Sequence, residues 1–351
     1  MCHPVVEHDL RTIAGLPLPW DELAGKTVLV TGANGFLPAY MIEVLLWLNI
    51  HCHLTNPVTV IGMARNKDKF VSRFSAYNKR NDLKMIVQDV CEPVHLDGPV
   101  DYIIHAASQA SPKYYGSDPV GTLSANVLGT YLLLELAREK CSRRFMFFSS
   151  AEVYGAGSES PVNESSFGYL NPLDVRSCYA ESKRMGENMS ASWHHQYGIP
   201  TVVVRPFHTY GPGMDLHDGR VFADFVADIL ASRNIIMKSD GSAIRAFCYL
   251  SDAVAGFFTA FFNGLAGNAY NVGNDTCETT ILGLAELLAS LYPEREIKVC
   301  PLQESPKSPY LQSHVNRMCP DITRIRALGW EPTVGLIDGF SRTVRSFEPS
   351  K

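Results

Sequence analysis

One short stretch constrains this chain more than any other: Lys26 to Thr31 (KTVLVT), an apolar β-branched run that stops at Gly32 and leads into GANGFLP. A continuous apolar run of this length suits a strand covered on both faces. Phe36 to Leu48 then carries apolar residues at helical spacing. Strand, glycine turn and helix in that order open a βαβ unit, and the rhythm recurs. Val58–Gly62, Met85–Val87, Tyr102–His105, Arg144–Ser149 and Thr201–Arg205 read as further strands. Lys67–Lys79, Thr122–Lys140 and Tyr179–Tyr197 read as helices between them. Such alternation predicts an α/β fold, a doubly wound parallel sheet with helices on both faces.

The rhythm changes near Gly211. Helical segments at Val221–Ser232, Asp252–Phe262 and Ile281–Tyr292 are separated by Gly- and Pro-rich loops. The 351 residues suffice for about two domains. The expected division is a polar leader over 1–25, a sheet domain over 26–210 and a smaller C-terminal substrate-binding lobe, mainly 211–351, with the ligand cleft between the last two. With 31 basic and 36 acidic residues the formal charge is −5, which argues against nucleic acid or an anionic membrane as partner. Nine cysteines without a C-x-x-C, and no His/Cys/Asp cluster at ligand spacing, suggest neither a disulfide framework nor a metal site. Met1 to Trp20 carries charges where a secretory apolar core would sit, and Leu37–Ile50 is too short to span a bilayer. The expectation is a cytoplasmic protein without a membrane partner.

Glycines after a first strand allow a tight turn and a close backbone approach to a pyrophosphate at the following helix N-terminus. Gly32, Asn34, Gly35, Phe36 and Leu37 are therefore cofactor candidates. Pro38 stands where a third glycine is usual, and a first helical turn tolerates it. The second strand of such a unit ends in an acid when the ribose 2′-hydroxyl is free. Here Ala64 holds that position and Arg65, able to take a 2′-phosphate or stack on adenine, follows it. The choice between NAD and NADP stays open at this point.

Tyr179 to Lys183 (YAESK) places a phenol and an ammonium four apart on one helix face, and Ser149–Glu152 (SSAE) follows the fifth strand. A lysine beside a phenol is expected to lower the phenol's pKa toward neutrality, making Tyr179 a base, with Ser150 bonding the same substrate hydroxyl. Arg220 and Arg245 suit a diphosphate, since a guanidinium stays ionised and grips phosphate oxygens bidentately. The competing assignment pairs them with Asp252 or Asp224.

With these residues in view the chain, from Lys26 to Phe347, resembles the extended short-chain dehydrogenase/reductases that modify nucleotide sugars. SSAEVYG (Ser149–Gly155), NPLDVRSCY (Asn171–Tyr179), and DGRV (Asp218–Val221) with IRAFCYLSD (Ile244–Asp252) are most like the UDP-glucuronate decarboxylases that make UDP-xylose. HAAS (His105–Ser108), PDI (Pro320–Ile322) and LGWEP (Leu328–Pro332) also match the group. The resemblance implies a Rossmann-type domain for NAD, with NADP as the alternative, and a nucleotide-sugar lobe. Tyr179 would be the base, Lys183 its modulator and a cofactor contact, Ser150 the hydroxyl orienter and Glu152 a further catalytic group. It adds Asp89, Val90, Ala106, Ala107, Ser108 and Asn126 to the cofactor set. For the substrate it implies Ser108, Ser150, Glu152, Tyr179, His208, Arg220, Arg245 and Arg317. The implied reaction is C4 oxidation followed by decarboxylation of UDP-glucuronate; 4,6-dehydration or 4-epimerisation of another nucleotide sugar is the alternative, and a non-catalytic NAD(P)-binding regulator a distant one. Ala151 replaces the Asp of the Asp-Glu pair in dTDP-glucose 4,6-dehydratases, while Glu152, usually absent from simple 4-epimerases, remains. A homodimer is expected by the same resemblance.

Overall fold

The computed structural model describes residues 3–52, 54–301 and 315–348. Six strands follow the sequence reading: β1 (Thr27–Thr31), β2 (Thr59–Ala64), β3 (Leu83–Val87), β4 (Tyr102–His105), β5 (Arg144–Phe148) and β6 (Thr201–Pro206). They lie in one parallel sheet, joined at the β6 edge by a seventh strand from the far part of the chain. The order is Asn268–Val272, β6, β5, β4, β1, β2, β3. That seventh strand (NAYNV) is half polar, so no apolar run announces it.

The helices in chain order are α1 (Pro4–Ala14), α2 (Phe36–His51), α3 (Lys67–Arg73), α4 (Lys113–Ser117), α5 (Pro119–Glu139) and α6 (Cys178–Tyr197). α2 is apolar around its whole circumference because it is enclosed by the sheet, α1 and a later helix, Leu250–Asn263. Pro38 sits in its first turn, where backbone N–H groups have no intrahelical partner, and the helix runs on unbroken. α6 stops at Gly198, whose φ of 71° provides the left-handed cap. α5 is long and apolar enough to cross a membrane by length and composition alone. In the fold it packs beside α6, with Leu133, Leu134 and Ala137 in the core.

The expected leader is an integral helix. α1 buries Leu10 and Ile13 in the main core, and its Asp9 is almost fully enclosed. That carboxylate accepts from the Tyr40 hydroxyl (3.0 Å) and from the Tyr249 hydroxyl (2.8 Å) and lies 3.5 Å from Arg342.

Beyond Gly211 the chain alternates between the lobe and the sheet domain. β7 (His208–Tyr210), β8 (Ile235–Ile236) and β9 (Ile244–Tyr249) come first, with α7 (Val221–Leu230) between β7 and β8. α8 (Leu250–Asn263) returns to cover the sheet, followed by the seventh sheet strand, β10 (Asn268–Val272). β11 (Glu278–Thr280), α9 (Ile281–Ser290), β12 (Val299–Cys300), β13 (Arg317–Met318), α10 (Thr323–Arg326) and α11 (Leu336–Phe347) complete the described chain. β7, β9, β11 and β13 make a second small sheet, and β8 pairs with β12. The lobe has its own core, in which Tyr210 stacks on Phe340 and Phe247, Phe222, Ile229 and Leu284 pack around them.

Candidate active site

A cleft of about 2370 Å³ opens between the sheet and the lobe. Its floor is the set of residues that follow the strand ends: Gly32 after β1, Arg65 after β2, Asp89 beyond β3, Ala106 after β4, Ser150 beyond β5 and His208 beyond β6. Crevices at the carboxyl ends of parallel strands are where such folds bind ligands. A single-ligand pocket measures about 300–1,000 Å³, so this one has room for two ligands side by side.

One half suits a dinucleotide. Gly32 adopts φ +69°, and a Cβ there would stand 2.8 Å from the Cα of Ala107, so only glycine lets this turn meet the end of β4. The Thr31 hydroxyl accepts from the Ala107 N–H at 3.2 Å and lies 2.9 Å from His105. His105 also touches the Thr130 hydroxyl at 3.1 Å; burial drives its pKa down to about 3, so the imidazole is neutral and structural. Asn34, Gly35, Phe36, Leu37, Asp89, Val90, Ala106, Ala107 and Ser108 line the cleft. The buried Ser108 Oγ and Gln109 Oε1 have no protein partner among the described residues, as groups reserved for a ligand would. Arg65 lies 3.6 Å from Asp89. Asn126 departs from expectation. It is fully buried off the cleft wall, because α5 turns it toward α6, where its amide donates to Ser182 Oγ at 2.9 Å.

The other half holds the catalytic candidates. α6 begins at Cys178, so Tyr179 occupies its first turn and Lys183 the next, both facing the end of β5. Ser150 lies near enough to Tyr179 to ease its pKa downward and accepts from the Glu152 N–H at 3.2 Å. Lys183 Nζ donates to the Phe148 carbonyl at 2.7 Å and stands 5.7 Å from the Tyr179 ring centre. The electrostatics differ from expectation. Burial pushes the Tyr179 phenol up to about 12 and the Lys183 ammonium down to about 7. Desolvation thus outweighs the lowering by the Ser150 hydroxyl and the Arg220 charge.

Sequence reasoning missed two residues here. Arg176 holds Glu152 by a guanidinium–carboxylate contact of 3.1 Å, and Tyr115 stacks on Tyr179 with ring centres 5.0 Å apart. Arg176 lies inside the NPLDVRSCY stretch, a signal that could have singled it out; Tyr115 has none. Deeper, Glu187 binds Arg205 at 2.6 and 2.8 Å and accepts from Ser149, fixing the strand end that carries Ser150.

On the substrate side, His208, Arg220 and Arg245 converge on one wall. Burial, reinforced by the charges of Arg245 and Arg220, drops His208 to about 3, and its buried Nδ1 has no protein partner. Neither arginine pairs with Asp252 or Asp224. Asp252 accepts from Thr333 and Val334, and Asp224 binds Lys238. Arg220 instead binds Asp218 at 2.8 Å, and Arg245 donates to the carbonyls of Ile244, Val315 and Asn316. Arg317 is a correction. It lies off the main cleft, beside a smaller hollow of about 340 Å³, bound to Glu278 and to the Ser160 carbonyl, because its register partner in β9 is Ile244, which puts it on the face opposite Arg245. Among the described residues no group of acidic, His or Cys side chains could hold a metal.

The NAD dependent epimerase/dehydratase family matches residues 28–273. UDP-glucuronic acid decarboxylase 6 of Arabidopsis thaliana is 35% identical over 316 residues, covering 89% of this chain and 86% of the plant protein. UDP-glucuronic acid decarboxylase 1 of Danio rerio is 34% identical over 328 residues, covering 92% and 72%. Among solved structures, a Bacillus cereus UDP-glucuronic acid 4-epimerase with UDP-glucuronic acid and NAD superposes with TM-score 0.74 at 22% identity, covering 91% of this chain and 98% of that one. The dTDP-glucose 4,6-dehydratase DesIV of Streptomyces venezuelae, solved with NAD, does so with TM-score 0.75 at 25% identity, covering 92% and 96%.

Proposed function

Because the chain belongs to the NAD dependent epimerase/dehydratase family, we propose that it is a nucleotide-sugar decarboxylase that oxidises C4 of UDP-glucuronate and releases carbon dioxide from C5. It is an enzyme of the extended short-chain dehydrogenase/reductase type. The cofactor is of the NAD type; when bound it supplies a reversible hydride acceptor. Gly32 through Leu37 would hold its pyrophosphate, and Ser108 with Lys183 its nicotinamide end.

The chain's own residues do the rest. Tyr179 takes the C4 hydroxyl proton at its phenolic oxygen, and Ser150 bonds the same hydroxyl and fixes its angle. The form of Tyr179 that can take this proton is the phenolate, which the protonated Lys183 would favour by its nearby positive charge; taking the proton returns Tyr179 to the phenol. Arg220, Arg245 and the neutral His208 meet the diphosphate on the lobe wall.

The observation that carries decarboxylation over dehydration is the Glu152–Arg176 contact. Dehydration needs a base free to reach the C5 proton, and both Glu152 carboxylate oxygens are turned toward the Arg176 guanidinium, at 3.1 and 3.5 Å. A β-keto acid loses carbon dioxide without such a base. The Asp that dTDP-glucose 4,6-dehydratases place before this Glu is Ala151, which disfavours that one kind of dehydratase.

Incubation with UDP-glucuronate and mass spectrometry of the product tests this. Loss of carbon dioxide supports the reading; loss of water, or an isomer of unchanged mass, contradicts it. Tyr179→Phe should keep the fold and dinucleotide binding yet lose about 10²–10⁴-fold in turnover.

A homodimer through α5 and α6 completes the proposal, supported by Leu128, Tyr131 and Met185, which expose apolar side chains on those neighbouring helices. Leu128→Glu should shift sedimentation toward monomer; a wild type that is already monomeric contradicts it.

A further inference from the structure

The adenosine end of the cleft carries a set of residues that the catalytic steps do not use. β2 ends at Ala64, which is buried and whose side chain has no polar atom to offer a ribose. In a dinucleotide site that selects a free 2′-hydroxyl, this strand end presents a carboxylate that bonds the ribose and repels a phosphate. Arg65 follows, with 62% of its side chain exposed, and it lines the cleft together with Asn66 and Lys69. Resting on the dinucleotide assignment above, we propose that Arg65 and Lys69 form a seat for the 2′-phosphate, so that this chain binds NADP at least as tightly as NAD.

The placement follows from the sheet. β2 lies directly beside β1, so Arg65 stands next to the Gly32–Gly35 turn. Asn34 Nδ2 reaches the Asn66 carbonyl at 3.5 Å, tying the pyrophosphate turn to the Arg65–Asn66 corner. Two carboxylates lie within electrostatic reach of Arg65: Asp89 at 3.6 Å, and Asp118. Each is already engaged by its own loop. Asp89 accepts from the Cys91 N–H at 2.9 Å, and Asp118 accepts from Gln109 at 2.9 Å and from the Gly121 N–H at 3.0 Å. An exposed pair such as Arg65–Asp89 contributes little, so Arg65 can turn to a dianionic phosphate, which its planar fork grips bidentately. Lys69, exposed one helical turn further along α3, adds a second positive charge. Lys is suited to this as a point charge that tolerates a range of phosphate positions.

The test is a binding titration of the purified full chain with NADH and NADPH, followed by nicotinamide fluorescence, alongside mass-spectrometric identification of any dinucleotide released on denaturation. Wild type should bind NADPH at least as tightly as NADH. Arg65→Ala should weaken NADPH by about tenfold or more, the loss of one charge-assisted phosphate contact, while changing NADH by about twofold at most. Ala64→Asp should reverse the order by restoring the ribose acceptor and repelling the phosphate. NADH binding in wild type with NADPH about tenfold or more weaker overturns the seat but leaves the dinucleotide assignment standing. Binding of neither overturns both.

Discussion

Burial sets the chemistry of the two central side chains in opposite directions, and Lys183 makes this measurable. Its ammonium falls from an ordinary 10.5 to about 7 because the folded chain removes it from water. Between those values the unfolded chain binds a proton that the folded chain does not, so stability from this site rises with pH across that window and is lost as pH falls toward 7. Below it the folded protein carries a buried charge. Lys183→Met removes that burden. In urea unfolding the variant's stability relative to wild type should be highest near about pH 6 and fall toward about pH 9; a difference independent of pH would contradict the buried-charge account. Tyr179, Lys183 and Ser150 were legible in the sequence because helical spacing and a strand end are local signals. Tyr115 was not, since it reaches Tyr179 only through tertiary packing, and the motif that holds Arg176 gave no hint of its contact with Glu152. The face that Arg317 presents was not legible either, since it follows from the register that sets it opposite Ile244 rather than Arg245.

At the scale of elements, α1 shows how a polar segment hides a core helix. His3 caps it by accepting from the Val5 N–H, Pro4 opens it, and Val5, Leu10, Ile13 and Ala14 share the buried face. Those start signals and that spacing were present in the sequence, but charged neighbours masked them. The buried Asp9 joins α1 to α2 through Tyr40, to the end of β9 through Tyr249 and to α11 through Arg342. Asp9→Ala would strand two buried hydroxyls, and chemical unfolding should show a loss of about 3 kcal/mol. Arg11→Ala, which removes only an exposed helical pair with Glu7, should cost no more than about 0.5 kcal/mol. Equal effects would mean that Asp9 is not the tie. β10 escaped notice differently. Its half-polar sequence is tolerated because Asn271 is satisfied by Tyr154, Glu164 and the Val162 carbonyl rather than by apolar packing.

Across the whole molecule, the sheet and the lobe are interleaved rather than strung in sequence, since α8 and β10 return to the sheet after the lobe has begun. The cleft walls are therefore tied together at several points along the chain, and the cofactor half faces the substrate half with Tyr179 between them. That arrangement suits a closed cycle in which hydride leaves C4 and comes back to it. UDP-glucuronate carrying deuterium at C4, incubated with the purified enzyme and no added reductant, tests this most directly. The account predicts a pentose product that has lost the carboxyl carbon and still carries the deuterium at C4. A product that retains the carboxyl carbon, or a decarboxylated one whose C4 deuterium has been lost to solvent, would contradict it.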